Sequence, residues 1–333
     1  MDFRLNEDQI SLQKAARDFL SKECTPEVVR SAFESPDGDA PELYKKMADL
    51  GWLGVAVPEQ HGGLGLGLVE QAVLLEEMGY ADAPGAYFST ACMAIPALLA
   101  FDAGDLLPPL VEGSVKATLV QDPRFVLDGG IADAFVAVRG EEVLWVERGD
   151  ADVTPHKTVD GTRRTASVSI PDGSGRELGR AADLGRVIDS ATALLCAESV
   201  GGMQKALDMT VAYVKERQQF GRSIGSFQAI KHRLAEALVK VESSRSAAYY
   251  AAWANQAGSP DAAYATSIAK AYSSEAFLSV AGEAIQMHGG LGYTWEHDSH
   301  LWFKRAAANS ELLGSPAYHR HRALELSGQA AGG

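Results

Sequence analysis

Long helical patterns in the second half of the chain constrain its fold more than any other feature. They cover residues 184–214, 228–257 and 260–288, with shorter ones after Asp298. In the second pattern, apolar residues recur at i, i+4, i+8 and i+11, which predicts one apolar stripe facing other helices. The stripe consists of Ile230, Leu234, Leu238 and Val241. Four such helices predict a C-terminal helical bundle over residues 183–330.

The first third of the chain is also predicted to be helical. Asn6 is followed three residues later by Gln9, a spacing at which side chains cap a helix. Two further helices are predicted at residues 41–50, which begin with a proline, and at residues 68–78. Gly79 is predicted to end the second of these, because glycine is unfavourable inside a helix and common after its last turn.

Residues 116–170 have a different texture, with short apolar runs separated by Asp, Gly and Arg residues that suit turns. These runs predict strands, and residues 171–180 (PDGSGRELGR) predict a linker after them. The predicted fold class is therefore mostly α with a small β domain. The predicted domains are an N-terminal helical domain at residues 1–112, a shortened middle β domain at 113–172 and a C-terminal four-helix bundle at 183–330.

The composition of the 333 residues excludes several kinds of protein. A formal net charge of -14 gives no basic field that would attract nucleic acid or anionic lipid. No apolar run approaches the roughly 20 residues of a membrane helix, and the polar start does not resemble a signal peptide, so we expect a cytoplasmic protein. The cysteines lie far apart without a CxxC pattern, which predicts reduced thiols and no metal site. They are Cys24, Cys92 and Cys196.

Residues 214–236, VKERQQFGRSIGSFQAIKHRLAE, form the segment richest in candidate binding residues. Arg217, Phe220, Arg222 and Gln228 surround a glycine-broken joint between two long helices. Such a joint exposes backbone N–H groups at the start of the second helix, beside arginines that can hold phosphate oxygens. This chemistry predicts an anion site, and a polar connection with solvated arginines is the alternative.

Residues 286–298, QMHGGLGYTWEHD, form a second candidate segment. Gln286, Gly289 and Gly290 come at the end of a predicted helix, where glycine lets the backbone approach a ligand closely. A glycine stop followed by a loop is the alternative. The last three residues, Glu296 to Asp298, cannot converge on one face of a helix and are predicted to cap or orient the next helix.

Together, the two segments resemble the C-terminal signatures of the acyl-CoA dehydrogenase family. PEQHGGLGLGLVEQAVLLEEMG and LLPPLVEGSVKATLV resemble N-terminal parts of the same family, so the resemblance covers nearly the whole chain. It implies the family's fold and an FAD held between two subunits, with these signatures of one chain holding the ADP half of its neighbour's flavin. By position, the implied contacts are Arg217 and Phe220 at the pyrophosphate, Gln228 nearby, and Gln286, Gly289 and Gly290 on the adenosine side.

The middle domain departs from the family pattern at the flavin ring. Family members carry a TEPxAGSD stretch and a later W-I-T-N stretch, whose hydroxyls and backbone contact the ring. Here Gln121, Asp122 and Pro123 stand where TEP is expected, and the chain continues almost directly to residues 129–133. We therefore expect a shortened domain that cannot hold the flavin ring of its own FAD.

The catalytic base is the second departure. The family's reaction needs a carboxylate that removes the α-proton of an acyl-CoA thioester while hydride leaves the β-carbon for the flavin. The family's two base positions match Leu313 or Gly314 in one case and Ala191 in the other, and none of these can act as a base. Glu198 lies seven residues after Ala191, two turns along and nearly on the same helix face, and Asp189 lies two residues before Ala191; either could substitute as the base. Glu198, in an apolar stretch, is the candidate catalytic residue, and a structural acid is the alternative.

These features resemble the small subunit of heterotetrameric (α2β2) acyl-CoA dehydrogenases from actinobacteria. The resemblance implies a subunit of an FAD-dependent oxidoreductase that desaturates an acyl-CoA thioester, by analogy one with a steroid side chain. A homologous larger subunit is expected to supply the base and the flavin-ring site, and electron-transferring flavoprotein or a similar protein is the implied acceptor. Two alternatives stay open: a self-sufficient homo-oligomeric dehydrogenase that uses Glu198, and a non-catalytic scaffold that binds acyl-CoA or protein.

Overall fold

The computed structural model describes residues 4–330, which form two compact units. The first unit contains residues 4–22, 72–83 and 192–330, and the second contains residues 23–71 and 84–191. Within the described range, no helix is both long and apolar enough to cross a membrane.

Helices dominate both ends of the chain, as predicted. Those before the strands are α1 (Glu7–Glu23), α2 (Pro26–Glu34), α3 (Pro41–Asp49), α4 (Leu68–Ala81), a π-helical segment (Phe88–Ala94), α5 (Ile95–Ala100) and α6 (Pro108–Val111). Those after the first seven strands are α7 (Gly185–Glu216), α8 (Gln228–Gln256), α9 (Ala262–His288), α10 (Ser299–Glu311) and α11 (Pro316–Ala330). In the first unit, α9 packs against α8, α10 and α11, which confirms the predicted helical bundle.

The predicted start of α1 is confirmed in atomic detail. The backbone N–H of Gln9 donates to Asn6 Oδ1 at 2.8 Å, and the N–H of Asn6 donates to Gln9 Oε1 at 3.0 Å. Each side chain therefore satisfies a backbone donor that the first helical turn leaves without a partner. Likewise, α3 begins at Pro41, and Gly51 beyond its end adopts a left-handed φ of 74°.

The prediction that Gly79 ends a helix is wrong, because α4 runs past it to Ala81. A Cβ atom at Gly79 would lie 1.9 Å from the carbonyl oxygen of Glu198, and one at Gly201 would lie 1.8 Å from that of Glu76. The two glycines therefore let α4 and α7 cross with their backbones in contact. This close approach, rather than a helix end, is what requires glycine at position 79.

The middle of the chain forms two small sheets within the second unit. Their strands are β1 (Ala117–Val120), β2 (Val126–Leu127), β3 (Ala134–Arg139), β4 (Glu142–Glu147), β5 (Asp152–Pro155), β6 (Thr165–Ser169) and β7 (Arg176–Arg180). One sheet has the order β1-β3-β4-β7, with β1 and β3 parallel and the other pairs antiparallel, and the second has the order β2-β6-β5. Phe135, Val146 and Val168 lie in their common apolar core.

Two predictions need correction, one about residues 171–180 and one about the apolar stripe on α8. Residues 171–180 are not only a linker, because β7 lies within them and pairs with β4. As a polar edge strand, β7 carries no apolar alternation that could have predicted it. On α8, the predicted stripe is largely accessible, since Leu238 is 46% exposed and only Val241 among its members is buried. The buried face of α8 instead consists mainly of small residues, including Ala237, Ser244 and Ala248.

Candidate functional site

A short hairpin joins α7 to α8 and carries the first candidate segment. Its strands are β8 (Gln218–Gln219) and β9 (Arg222–Ser223). The N–H of Ile224 donates to the Arg217 carbonyl at 2.8 Å, which closes the hairpin at its base. Phe220 and Gly221 form the turn with φ values of 53° and 77°, the left-handed pair that a two-residue hairpin of this kind requires.

The tip of this hairpin presents a large apolar ring to solvent. Phe220 is 92% exposed, and a left-handed φ is rare for a bulky residue. Behind it, the Arg222 guanidinium lies 4.0 Å from the centre of the Phe227 ring. Exposure and backbone strain at one residue are typical of positions that bind another molecule.

Cationic and polar groups surround the same hairpin. Arg217 and Gln228 are both exposed, and no carboxylate within residues 4–330 forms an ion pair with Arg217. Gln228 is the first residue of α8, where backbone N–H groups and the helix dipole favour an anion. The hairpin base therefore has the chemistry of a phosphate site.

The second candidate segment begins at the end of α9. Gly289 follows the helix with φ 61° and ψ −139°, a conformation that essentially only glycine adopts. A Cβ atom added to Gly289 or Gly290 would have no other atom within 4 Å. A Cβ atom added to Gly292 would lie 2.6 Å from the Ile285 carbonyl oxygen. Gly292 is thus needed for packing, while Gly289, Gly290 and the exposed Gln286 leave open surface that fits a ligand.

The structure brings the two candidate segments together at one end of the bundle. The rings of Tyr213 on α7 and His288 on α9 stack with their centroids 4.4 Å apart. Arg217 lies one helical turn after Tyr213, since its N–H donates to the Tyr213 carbonyl, and Gln286 lies two residues before His288. The outer residues of this site were predicted from their motifs, whereas the Tyr213–His288 ring pair that joins its halves leaves no local pattern in the sequence.

Glu198 occupies a closed ionic cluster in the first unit. Its side chain is 3% exposed, and its two oxygens accept from Arg305 Nη1 at 2.7 Å and from Asn309 Nδ2 at 3.3 Å. Arg305 also lies 3.4 Å from Asp82 and is 1% exposed. These contacts are those of a structural acid, and a catalytic role for Glu198 stays a hypothesis.

The turn between α10 and α11 carries Leu313 and Gly314, where the family resemblance places a base. Their φ values are 58° and 106°. A Cβ atom at Gly314 would lie 2.7 Å from Tyr318 Cδ1 and 2.9 Å from His319 Nε2. A side chain at position 314 would therefore require Tyr318 and His319 to shift and would occupy a strained backbone conformation.

A buried lysine that sequence analysis missed holds this turn. The Lys270 ammonium donates to the carbonyls of Asn309 at 2.9 Å, Ser310 at 3.1 Å and Gly314 at 3.0 Å, and to Ser274 Oγ at 3.0 Å. Burial lowers the pKa of Lys270 to about 8. The only signal in the sequence is a single lysine inside an Ala- and Ser-rich helix, which does not reveal its partners.

A groove of about 650 Å³ in the first unit was also missed. Its floor contains Glu76 and Glu77, whose side chains are 5% and 1% exposed. Glu76 accepts from Arg245 at 3.0 Å and from the Tyr249 hydroxyl at 2.9 Å, and Glu77 pairs with Arg17. The buried acids of the groove are thus already neutralised by its own side chains.

Two smaller predictions concern the histidines and possible metal sites. His297 Nδ1 accepts from the N–H of Ser299, the first residue of α10, at 3.2 Å, which fits the prediction that the residues before α10 cap or orient that helix. In the part of the chain that the structure describes, no cluster of three or more His, Cys, Asp or Glu residues is arranged to hold a metal ion.

Comparison with known proteins identifies the family. Models of the acyl-CoA dehydrogenase N-terminal and C-terminal domains match residues 6–104 and 184–325. Acyl-CoA dehydrogenase IpdE2 of Mycolicibacterium smegmatis is 40% identical over 313 residues, covering 94% of this chain and 96% of that protein. A chain of the ChsE4-ChsE5 complex from Mycobacterium tuberculosis has a TM-score of 0.89 at 26% identity, covering 100% of both chains.

A second solved structure, a variant of the Tcur3481-Tcur3483 steroid ACAD, gives a TM-score of 0.88 at 28% identity and covers 98% of this chain and 99% of that one. The fold predicted from the signatures is thereby confirmed. The chain belongs to the acyl-CoA dehydrogenase family.

Proposed function

We propose that this chain is one subunit of an FAD-dependent acyl-CoA dehydrogenase whose catalytic base and flavin-ring site come mainly from a homologous, larger partner chain. Family membership makes the chain an oxidoreductase acting on acyl-CoA. One observation supports the rest of the proposal: the hairpin and glycine turn leave exposed cationic and polar groups at one end of the bundle, while the turn at Leu313 and Gly314 has no carboxylate.

The open end is suited to the ADP half of the flavin. Arg217 can meet pyrophosphate oxygens with its planar guanidinium, and Gln228 adds a polar side chain at the start of α8. On the adenosine side, Gly289 and Gly290 let the backbone approach closely, next to Gln286. When bound, FAD would accept the hydride from the substrate β-carbon.

The proposed need for a partner rests on what this chain's own side chains cannot do. Neither Leu313 nor Gly314 carries a carboxylate, and Glu198 is held by Arg305 and Asn309. A carboxylate held by a buried cation is poorly placed to take a proton from a substrate, because that cation favours its ionised form. The exposed Phe220 also fits a surface that a second subunit covers.

The similar structures support the choice of partner and substrate class. The Mycobacterium tuberculosis structure is named as a complex of ChsE4 with ChsE5, and the Tcur3481-Tcur3483 structure is named as a steroid ACAD. We propose by analogy an α2β2 assembly that acts on a bulky steroid side-chain CoA thioester in the cytoplasm and passes electrons to electron-transferring flavoprotein or a similar acceptor. The division into domains at residues 1–112, 113–172 and 183–330 remains part of this proposal.

The test is to measure flavin absorbance and native mass for this chain alone and after co-expression with a partner acyl-CoA dehydrogenase chain. We expect flavin only in the mixed complex, at about half occupancy per chain, and its loss in Arg217→Ala. Lys240→Met, a change on α8 away from the hairpin, is the matched control and should leave flavin content unchanged. Full flavin occupancy in the lone chain would refute the incomplete-subunit proposal.

A further inference from the structure

His288 stands in an unusual position at the end of α9. It is the last residue of the helix, it is 2% exposed, and it directly precedes the open glycine turn. Its ring lies between two others: Tyr213 at 4.4 Å and His297 at 4.1 Å between centroids, with interplanar angles of 30° and 41°. Tyr213 belongs to α7, and His297 belongs to the segment before α10, so the imidazole joins three parts of the first unit.

One hydrogen bond of the His288 ring adds to the restraint that stacking gives. Nδ1 lies 2.7 Å from the carbonyl oxygen of Ala284, one helical turn earlier in α9. A carbonyl oxygen can only accept. Nδ1 must therefore carry the proton and donate it. Nε2 is buried and has no hydrogen-bond partner within residues 4–330. Burial lowers the pKa of His288, which keeps the ring neutral and preserves this arrangement at neutral pH.

We infer that His288 is a positioning residue that clamps the end of α9 and so sets the geometry of the glycine turn toward a bound adenosine group. This inference rests on the proposed function, which assigns Gly289 and Gly290 to the adenosine side of FAD. His288 makes no contact with the ligand in this role. It acts through the backbone that follows it.

The geometry of the turn explains why a clamp is needed. Gly289 has open space on the side where a Cβ atom would stand, so no side-chain packing restrains its backbone, which is held at that residue by the bond from its N–H to the Gln286 carbonyl. The neighbouring His288 ring is wedged between Tyr213 and His297 and supplies the missing restraint. Loss of the ring would let the turn sample other conformations, and displacements of about 1 Å in a binding site cost affinity.

The experiment measures FAD affinity of the mixed complex and, separately, thermal unfolding of this chain alone. We expect His288→Ala to weaken FAD binding about tenfold, equivalent to about 1.4 kcal/mol. His288→Phe keeps a ring for stacking and should stay within about threefold of the unaltered complex. Val280→Ala removes buried apolar atoms from the same helix two turns earlier and serves as the matched control.

A purely structural role predicts a different pattern. In that case His288→Ala and Val280→Ala would lower the unfolding temperature alike, with FAD affinity unchanged in both, and the inference would be overturned. Failure of His288→Phe to rescue affinity would also overturn the stacking clamp.

The same experiment separates this inference from the proposed function. If Arg217→Ala weakens FAD binding and His288→Ala does not, only the clamp is refuted. If the unaltered complex holds no flavin, or if Arg217→Ala leaves flavin affinity unchanged, the proposed FAD site itself is refuted.

Discussion

Replacing Lys270 by methionine should change how the stability of the chain depends on pH. The ammonium is buried and donates to three backbone carbonyls and one hydroxyl around the α10–α11 turn. Burial lowers its pKa from 10.5 to about 8. Because the lysine releases its proton more readily in the folded chain, the unfolded chain binds more protons between these two pH values.

The sign and size follow from that difference. A lowered lysine pKa places a penalty on the folded state below pH 8, and raising the pH relieves the penalty, so the free energy of unfolding rises. Each pH unit contributes at most about 1.4 kcal/mol, and between pH 8 and pH 10 the lysine contributes about 2 kcal/mol. Lys270→Met removes this contribution. It also leaves three carbonyls without their donor, at about 1–3 kcal/mol each, but that cost does not vary with pH.

The assay is urea unfolding of the unaltered chain and of Lys270→Met at a series of pH values from 7 to 10. Groups away from Lys270 titrate alike in both proteins, so the quantity to plot is the difference between the two. Burial raises the pKa of the nearby Cys196 to about 11, which keeps its thiol protonated in the folded chain over this range. Lys240→Met should reproduce the pH dependence of the unaltered chain, because Lys240 is only partly buried. A flat difference would show that the carbonyls hold the charge throughout and would refute the reasoning from burial.

Two further predictions test the packing of the first unit. Gly79→Ala should destabilise the chain by about 3 kcal/mol or more in urea unfolding, because its Cβ atom would meet the Glu198 carbonyl oxygen. Gly185→Ala is the control and should be nearly neutral, because a Cβ atom there has open space. Equal destabilisation by the two substitutions would contradict the helix crossing. Glu198→Gln should cost up to about 3 kcal/mol in urea unfolding, because it removes the nearer of the two carboxylates beside the buried Arg305 cation and leaves only Asp82, at 3.4 Å, to balance it. Turnover per bound flavin should persist in the folded complex, and its abolition without loss of stability would instead identify Glu198 as the base.

The sequence predicted best where a feature depends on neighbouring residues. The cap of α1 and the start of α3 follow from residues a few positions apart, and the glycine turn after α9 follows from the QMHGGLGY segment. Features that depend on distant partners escaped prediction. Arg305 stands 107 positions from Glu198, and Lys270 stands 44 positions from Gly314, so neither pairing leaves a local pattern.

Gly79 and the edge strand β7 are two further features that local sequence could not predict. Gly79 was predicted to end a helix because local propensity favours that reading, but contact with α7 overrides propensity. The strand at residues 176–180 is polar because it lies at the edge of its sheet, and only pairing with β4 reveals it as a strand. Burial and pairing are properties of the folded chain, and they decide both cases.

The crowded turn at Gly314 has an evolutionary consequence. A carboxylate restored there by one substitution would meet Tyr318 and His319 and would occupy a backbone conformation that disfavours any side chain. The turn would have to change course first, against the three carbonyl contacts of Lys270. A carboxylate at position 314 is therefore hard to gain by a single mutation, because the turn, Tyr318 and His319 would all have to shift to accommodate it.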